Sequence, residues 1–163
     1  MTDPKREIMD ILYRFEGSES VLDVGCGVPC AFLEWEQTRY PDLRYTGIDI
    51  KRGEDWYTYE PGDYDIIIAN DLFPNVDQRL ELFLDKYLPH CKGMRLSLTY
   101  FDEPKWYVAK RVDGDEILTM AAWSLTRIYT VLNTHGHGYE NMKFSGTFPN
   151  GRKVLLVWLK GGL

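Results

Sequence analysis

The stretch VLDVGCGVPC, Val21 to Cys30, brings an acid, two glycines and two thiols together within ten residues. Glycines at a turn remove side chains, so that backbone and a following helix can come close to a polar ligand. Asp49 lies 22 residues after Gly27, at the end of a second apolar run. An acid there can accept two hydroxyl hydrogen bonds from a ribose, and the spacing suits an adenosine-containing ligand. A nicotinamide fingerprint needs a third glycine where Cys30 stands, so that signature is broken. Pro29 is tolerable if it opens the next helix, because a first-turn residue has no intrahelical use for its N–H. Cys26, Cys30 and Cys91 match no standard zinc spacing. An odd number of cysteines without an export signal points to reduced thiols rather than a disulfide framework, and no metal is expected.

Those residues need elements to hold them. Ile8, Ile11, Leu12 and Phe15 recur at helical spacing after Asp3-Pro4. Ser20–Val24 is a short apolar strand, Cys30–Arg39 suits a helix, and Tyr45–Ile50 suits a second strand. Asp63–Asn70 carries the apolar run of a strand buried on both faces. Asn75 with Gln78 fits a capping box for a helix carrying Leu80, Phe83, Leu84 and Tyr87. Met94–Phe101 is the next strand. Asp113 and Glu116 fit a second cap, leading a long helix through Ile117, Met120, Leu125, Ile128 and Leu132 to Gly136. The Pro149-Asn150-Gly151 turn between two apolar runs predicts a closing antiparallel hairpin whose last strand lies inside the sheet. The result is a single domain over residues 1–163, an α/β fold with a mostly parallel sheet flanked by helices.

Composition narrows the partners. The formal net charge is −6, which argues against a broad basic surface for duplex nucleic acid. No apolar run approaches a membrane span, and MTDPKREIMD lacks a signal-peptide core, so a cytoplasmic location is expected with no membrane partner.

LDVGCG, with its acid two residues before the first glycine, and GIDI, ending the second strand, resemble the first two motifs of the class I S-adenosylmethionine-dependent methyltransferases. The resemblance runs from about Val21 to Leu159 and includes the closing hairpin. It implies a Rossmann-like fold and a cofactor, S-adenosylmethionine, held by Asp23, Gly25, Cys26, Gly27, Asp49 and Ile50. Asn70 and Asp71, at the family's fourth motif position, would border the methyl group. The chain departs from the pattern at Pro29, where a third glycine is usual. It departs again between Asp49 and Tyr64, where only 14 residues intervene. WYTYE, Trp56–Glu60, either supplies a short edge strand or leaves that strand missing.

In open α/β sheets the ligand sits beyond the carboxyl ends of the strands. That edge receives the loops after Val24, Ile50, Asn70 and Tyr100, and the Pro149–Arg152 turn. The opposite edge receives His90, His135 and His137, which disfavours histidine catalysis. YFDEPKWY, Tyr100–Tyr107, places four aromatics and two carboxylates at the ligand edge, suited to covering a small acceptor. Asp71, Tyr100 and Asp102 are the candidate catalytic residues, with Asp102 or Glu103 able to take a proton from an acceptor. Trp56, Tyr57 and Tyr59 belong either to that pocket or to an edge strand. Lys105, Lys110, Arg111 and Arg152 either pair with an anionic substrate or form a solvated basic face. The expected activity is methyl transfer to an oxygen or nitrogen of a small molecule. The alternatives are a silent binding module on the same fold and a protein or RNA methyltransferase. A homodimer covering the second strand is expected if the shortened middle leaves that strand bare.

Overall fold

The computed structural model describes residues 4–35, 37–73, 79–103, 106–110, 117–121, 124–136 and 141–160. Its strands are β1 (Ser20–Val24), β2 (Arg44–Ile48), β3 (Tyr64–Asn70), β4 (Cys91–Tyr100), β5 (Trp106–Lys110), β6 (Ile117–Ala121), β7 (Met142–Thr147) and β8 (Lys153–Leu159). Its α-helices are α1 (Pro4–Leu12), α2 (Ala31–Trp35), α3 (Arg79–Tyr87) and α4 (Leu125–Thr134). Six strands form one sheet in the order β2-β1-β3-β4-β8-β7. The first four run parallel, while β8 lies antiparallel between β4 and β7. Every residue of β8 from Val154 to Leu159 is buried, as its unbroken apolar run predicts.

The two-residue period of the strands splits the core in two. One face packs Val21, Ile68, Val154 and Leu156 against Ile8, Met9 and Leu12 of α1 and Phe32 of α2. The other packs Leu22, Ile67, Leu155 and Val157 against Leu80, Phe83 and Leu84 of α3 and Ile128 and Leu132 of α4. Each such fully buried side chain contributes roughly 1.5–3 kcal/mol.

Two expectations change, and one that was left open is decided. Ile117–Ala121 is not the start of a long helix: it pairs as β6 with β5 in a separate antiparallel hairpin. The helix begins only at Leu125, where Ser124 Oγ accepts the N–H of Arg127 at 3.1 Å. Ile, Leu, Thr and Met at 117–120 satisfy either period, and the deciding partner lies across the hairpin. The caps assigned to Asp113, Glu116, Asn75 and Gln78 fall outside the described residues.

Pro29 does not open α2. It follows a cis Val28–Pro29 peptide and lies in a turn, because Ala31 N–H reaches back to Cys26 O at 3.3 Å before helical bonding begins. The helix is then only five residues long, with a separate 3-10 turn at Gln37–Arg39. Lastly, residues 50–63 form no strand. The chain makes a 3-10 turn at Ile50–Arg52, and Trp56 then stands edge-on to Phe73 and Phe83 at 5.8 and 5.6 Å. Tyr87 Oη donates to Trp56 O at 2.7 Å. This segment plugs the α3 face, and β2 is left as the outermost strand.

Candidate functional site

Gly25 and Gly27 adopt left-handed φ values of 74° and 90°, which L side chains rarely adopt. The N–H groups of Gly25 and Cys26 both donate to Ile48 O, at 2.8 and 3.1 Å. The N–H of Gly27 donates to Asp49 Oδ2 at 2.9 Å. These three amides are therefore engaged with the end of β2, which corrects the picture of a loop offering them to a ligand. The short α2 likewise lacks the length for a helix-terminus site. What the loop does provide is a surface without side chains. A Cβ added to Gly25 would lie 2.8 Å from Leu72 Cδ1, so Leu72 rests on that surface.

Asp49 is positioned by the same contacts. It caps the turn that follows β2, its Oδ1 accepting the N–H of Lys51 at 2.9 Å. Each carboxylate oxygen retains a further lone pair. Ile50, directly after it, is 64% exposed, an apolar surface beside the acid.

Asp23 and Cys26 lie beneath the loop rather than in its mouth. Asp23 is only 1% exposed. Tyr13 Oη donates to both its oxygens at 3.1 Å, and Tyr45 Oη donates to Oδ2 at 2.5 Å. Among the expected ligand contacts it is thus corrected to a support, since hydroxyl donors hold it in the core. Burial raises its carboxyl to about 7, against the pull of the hydrogen bonds from Tyr45 and Tyr13. The Cys26 side chain also turns inward, its Sγ 3.4 Å from Gly27 O.

Asn70 and Asp71 meet at a cavity of about 280 Å³ lined also by Ile8, Met9, Ala31, Phe148 and Arg152. Asp71 has a left-handed φ of 51°, a strain that clusters at functional sites. Its N–H donates to Ser97 Oγ at 2.9 Å, and its Oδ1 accepts from Thr99 Oγ1 at 3.2 Å. Its Oδ2 lies 3.4 Å from Arg152 Nη1. Burial raises the Asp71 carboxyl, while the Arg152 charge and the Thr99 hydroxyl oppose that shift. Ser97 Oγ donates to Asn70 Oδ1 at 2.5 Å. Arg152 Nε is buried without a hydrogen-bond partner among the described residues, an unmet donor at the cavity wall.

Tyr100 and Asp102 do not join this cavity. Tyr100 packs with Leu96 and Leu98 on the α3–α4 face, whereas Ser97 and Thr99 bond Asn70 and Asp71 beside the α1 side chains that line the cavity. One step along a strand reverses the face, which moves Tyr100 away from the centre assigned to it. The Asp102 side chain is 70% exposed and paired with Lys153 at 2.7 Å. In the expected aromatic cover, Phe101 is buried and Trp106 is 73% exposed; Lys105, Arg111 and the side chains of Tyr107 and Lys110 lie outside the described residues. His90 and His135 pair with Asp63 and Asp85 away from the cavity, and His137 is not among the described residues.

Sequence reasoning missed Ile8, Met9, Ser97 and Thr99. The alternation Ser97, Thr99 against Leu96, Leu98 was a readable sign that one face of β4 turns polar near its end. Nothing local signals that α1 folds over the same place.

No protein-family profile matches the sequence, and no curated protein is similar to it in sequence. Solved structures do resemble it. The O-methyltransferase of a trans-AT PKS multienzyme from Brevibacillus brevis, in complex with S-adenosyl-L-homocysteine, superposes with a TM-score of 0.67 at 11% identity, over 98% of this chain and 72% of that one. The magnesium protoporphyrin IX methyltransferase of Synechocystis PCC 6803, with bound SAM, gives 0.59 at 13% identity, over 95% and 77%. An S-adenosylmethionine-dependent methyltransferase from Mesorhizobium loti gives 0.54 at 12%, over 96% and 97%. At such identities the likeness is one of fold, and the chain has the Rossmann-like fold of these proteins.

Proposed function

We propose that the chain is an S-adenosylmethionine-dependent methyltransferase acting on an oxygen or nitrogen of a small molecule. The observation that carries this reading is the Asp49 carboxylate, clamped to Gly27 N at 2.9 Å and followed by the exposed Ile50. An acid with free lone pairs beside an apolar surface suits a ribose and its base, and the rest of an adenosyl group would take the place of Leu72 on the glycine surface. Fold neighbours carrying S-adenosylhomocysteine or SAM support this choice of cofactor. The bound cofactor supplies an electrophilic methyl group on a sulfonium. This chain's part is to hold and orient. Asp49 would accept hydrogen bonds from the ribose hydroxyls, while Ile50 would shield the base. Asn70 and Asp71 border the reacting end, and Ile8, Met9 and Phe148 exclude water from it. Asp71, held above the ordinary carboxylate range by burial, is the residue placed to take the acceptor's proton.

Calorimetry with S-adenosylmethionine and S-adenosylhomocysteine tests the reading. Binding is expected, and Asp49→Ala should weaken it at least about tenfold, the equivalent of about 1.4 kcal/mol. No binding to the wild-type chain at saturating ligand would remove the enzymatic assignment. A silent binding module is the second reading, favoured by Leu72 resting on Gly25; binding without turnover across varied acceptors would select it. The bare β2 edge supports a homodimer closed along it, and a monomer by light scattering at high concentration would exclude that arrangement. Among the described residues no helix is long and apolar enough to cross a membrane.

A further inference from the structure

A chain of polar groups runs beneath the glycine loop. Tyr45 Oη is 2.5 Å from Asp23 Oδ2 and 2.9 Å from Cys30 Sγ. A phenol has one proton, so while Tyr45 donates to Asp23 its oxygen can only accept from the Cys30 thiol. Moving one proton along each link turns Cys30 into a thiolate and Asp23 into a neutral acid, with no change in net charge. Asp23 suits the receiving end because burial raises its carboxyl to about 7. Cys30 suits the donating end: the neighbouring Cys26 thiol, with help from Tyr45, lowers it to about 5. Cys26 is pushed upward by the same pairing and stays protonated. Ala31 N–H on Cys26 O closes the two cysteines into one turn, and Cys26 Sγ and Tyr45 Oη lie 2.8 and 3.2 Å from one point, where a Cβ on Gly47 would stand. Cys30 also lines a cavity of about 440 Å³ along the free edge of β2, with Leu33, Tyr40, Tyr45 and Gly47. Cys30 is only 9% exposed, so in the monomer this cavity is the route by which a small oxidant reaches it, and a dimer closed along β2 would shut that route.

We propose that Cys30 and Cys26 are a dithiol modification site, which a peroxide converts to a disulfide within the loop. Cys30 is the attacking sulfur and Cys26 the resolving one. The Cys30 thiolate attacks one oxygen of hydrogen peroxide: an S–O bond forms, the O–O bond breaks, and the departing hydroxide takes the relayed proton from Asp23 to become water. The Cys26 sulfur then attacks the sulfenic sulfur of Cys30. The S–S bond forms, the S–O bond breaks, and the hydroxyl leaves with the Cys26 proton as a second water. Two thiols lose two electrons in all, and one peroxide gains them.

The bond shortens the sulfur separation to about 2.05 Å, so the turn carrying Gly27 must shift. Cys26 has little room to follow, since its Sγ lies 2.8 Å from where a Cβ on Gly47 would stand. The Gly27–Asp49 clamp is the contact exposed to that movement. Weaker cofactor binding in the oxidised form rests on the proposed function, whereas the thiol chemistry does not.

The test treats the reduced full-length chain with hydrogen peroxide, followed by intact mass, thiol counting and non-reducing peptide mapping. The expected product is lighter by two hydrogens, carries a Cys26–Cys30 cross-link, keeps Cys91 free and reverts with dithiothreitol. In Cys26→Ser, Cys30 should stop at the sulfenic acid and be trapped by dimedone. In Tyr45→Phe, oxidation of Cys30 should slow about tenfold as the relay is cut. A cross-link through Cys91, or Cys30 reacting no faster than Cys91 in the wild-type chain, overturns the proposal. Calorimetry on both forms keeps the two readings apart. Binding lost only on oxidation supports the coupling, and equal binding removes it. Absent binding in both forms sinks the cofactor reading and leaves the mapped disulfide standing.

Discussion

Asp23 sits within β1 and Asp71 directly after the neighbouring β3, yet their surroundings are opposite. Asp23 lies within β1 opposite Ile68 of β3, closed into the core and met by two tyrosine hydroxyls without a counter-charge. Asp71 follows β3 in a left-handed conformation, partly exposed, facing Arg152 across a cavity. Burial raises both carboxyls. The lesson is that a shifted acid is not in itself a reaction centre. Neutral donors on every side describe a support and a proton store, whereas a strained backbone, a cation and open volume describe a group that meets a ligand.

The sharpest way to break this contrast is Asp23→Ala. It leaves the hydroxyls of Tyr13 and Tyr45 buried without an acceptor and should lower unfolding free energy by about 3 kcal/mol in urea titrations. A loss below about 1 kcal/mol, within the range of surface changes, would show that Asp23 is no hub.

The pH dependence comes next. A carboxyl raised from 3.8 to about 7 in the folded state contributes stability that is present below 3.8 and lost as pH rises through about 7. Cys30, lowered from 9.0 to about 5, contributes in the opposite sense: its stability is present above 9.0 and lost as pH falls through about 5. The two oppose each other between about 5 and 7. Cys30→Ser should therefore uncover the Asp23 slope, up to about 1.4 kcal/mol per pH unit in that interval, measured by chemical denaturation across pH. An unchanged profile would deny that the groups share a proton.

At the other carboxylate the effects should fall on activity. Asp71→Asn keeps a residue tolerant of left-handed φ and should reduce methyl transfer roughly a hundredfold or more, the contribution expected of a general base. Its effect on stability should be under about 1 kcal/mol. The smallest change is expected for Arg152→Gln. Stability should move by less than about 0.5 kcal/mol, while the KM of acceptors carrying a carboxylate rises and that of neutral acceptors does not. Equal rises for both would assign Arg152 to holding Asp71 alone.

Much of the scaffold was legible in the residues themselves. The run IIIA in β3, the unbroken apolar β8 and the Asn-Gly turn state strand, burial and hairpin locally. Gly25, Gly27 and Asp49 were legible as neighbours because their spacing follows one strand–turn–helix unit, and Gly27 N–H does donate to Asp49. The direction of the final turn was also deducible, and Arg152 does arrive beside Asp71. Ile117–Ala121 was misread because its spacing suits a helix as well as a strand; only pairing with Trp106–Lys110 chose between them. Tyr100 was misassigned because loop membership was inferred without counting which face its strand presents.

By itself, then, the sequence determined the order of the elements, the strand interiors and the acid–glycine pairing, since propensity, period and turn chemistry act over a few residues. Only the tertiary structure decided what Asp23, Tyr45, Cys30 and Cys26 make together, how α1 meets Asn70 and Asp71, and that β2 ends the sheet. Those outcomes depend on groups far apart in the chain that hydrogen bonding and exclusion of water bring within a few ångströms, and no local pattern encodes such distances.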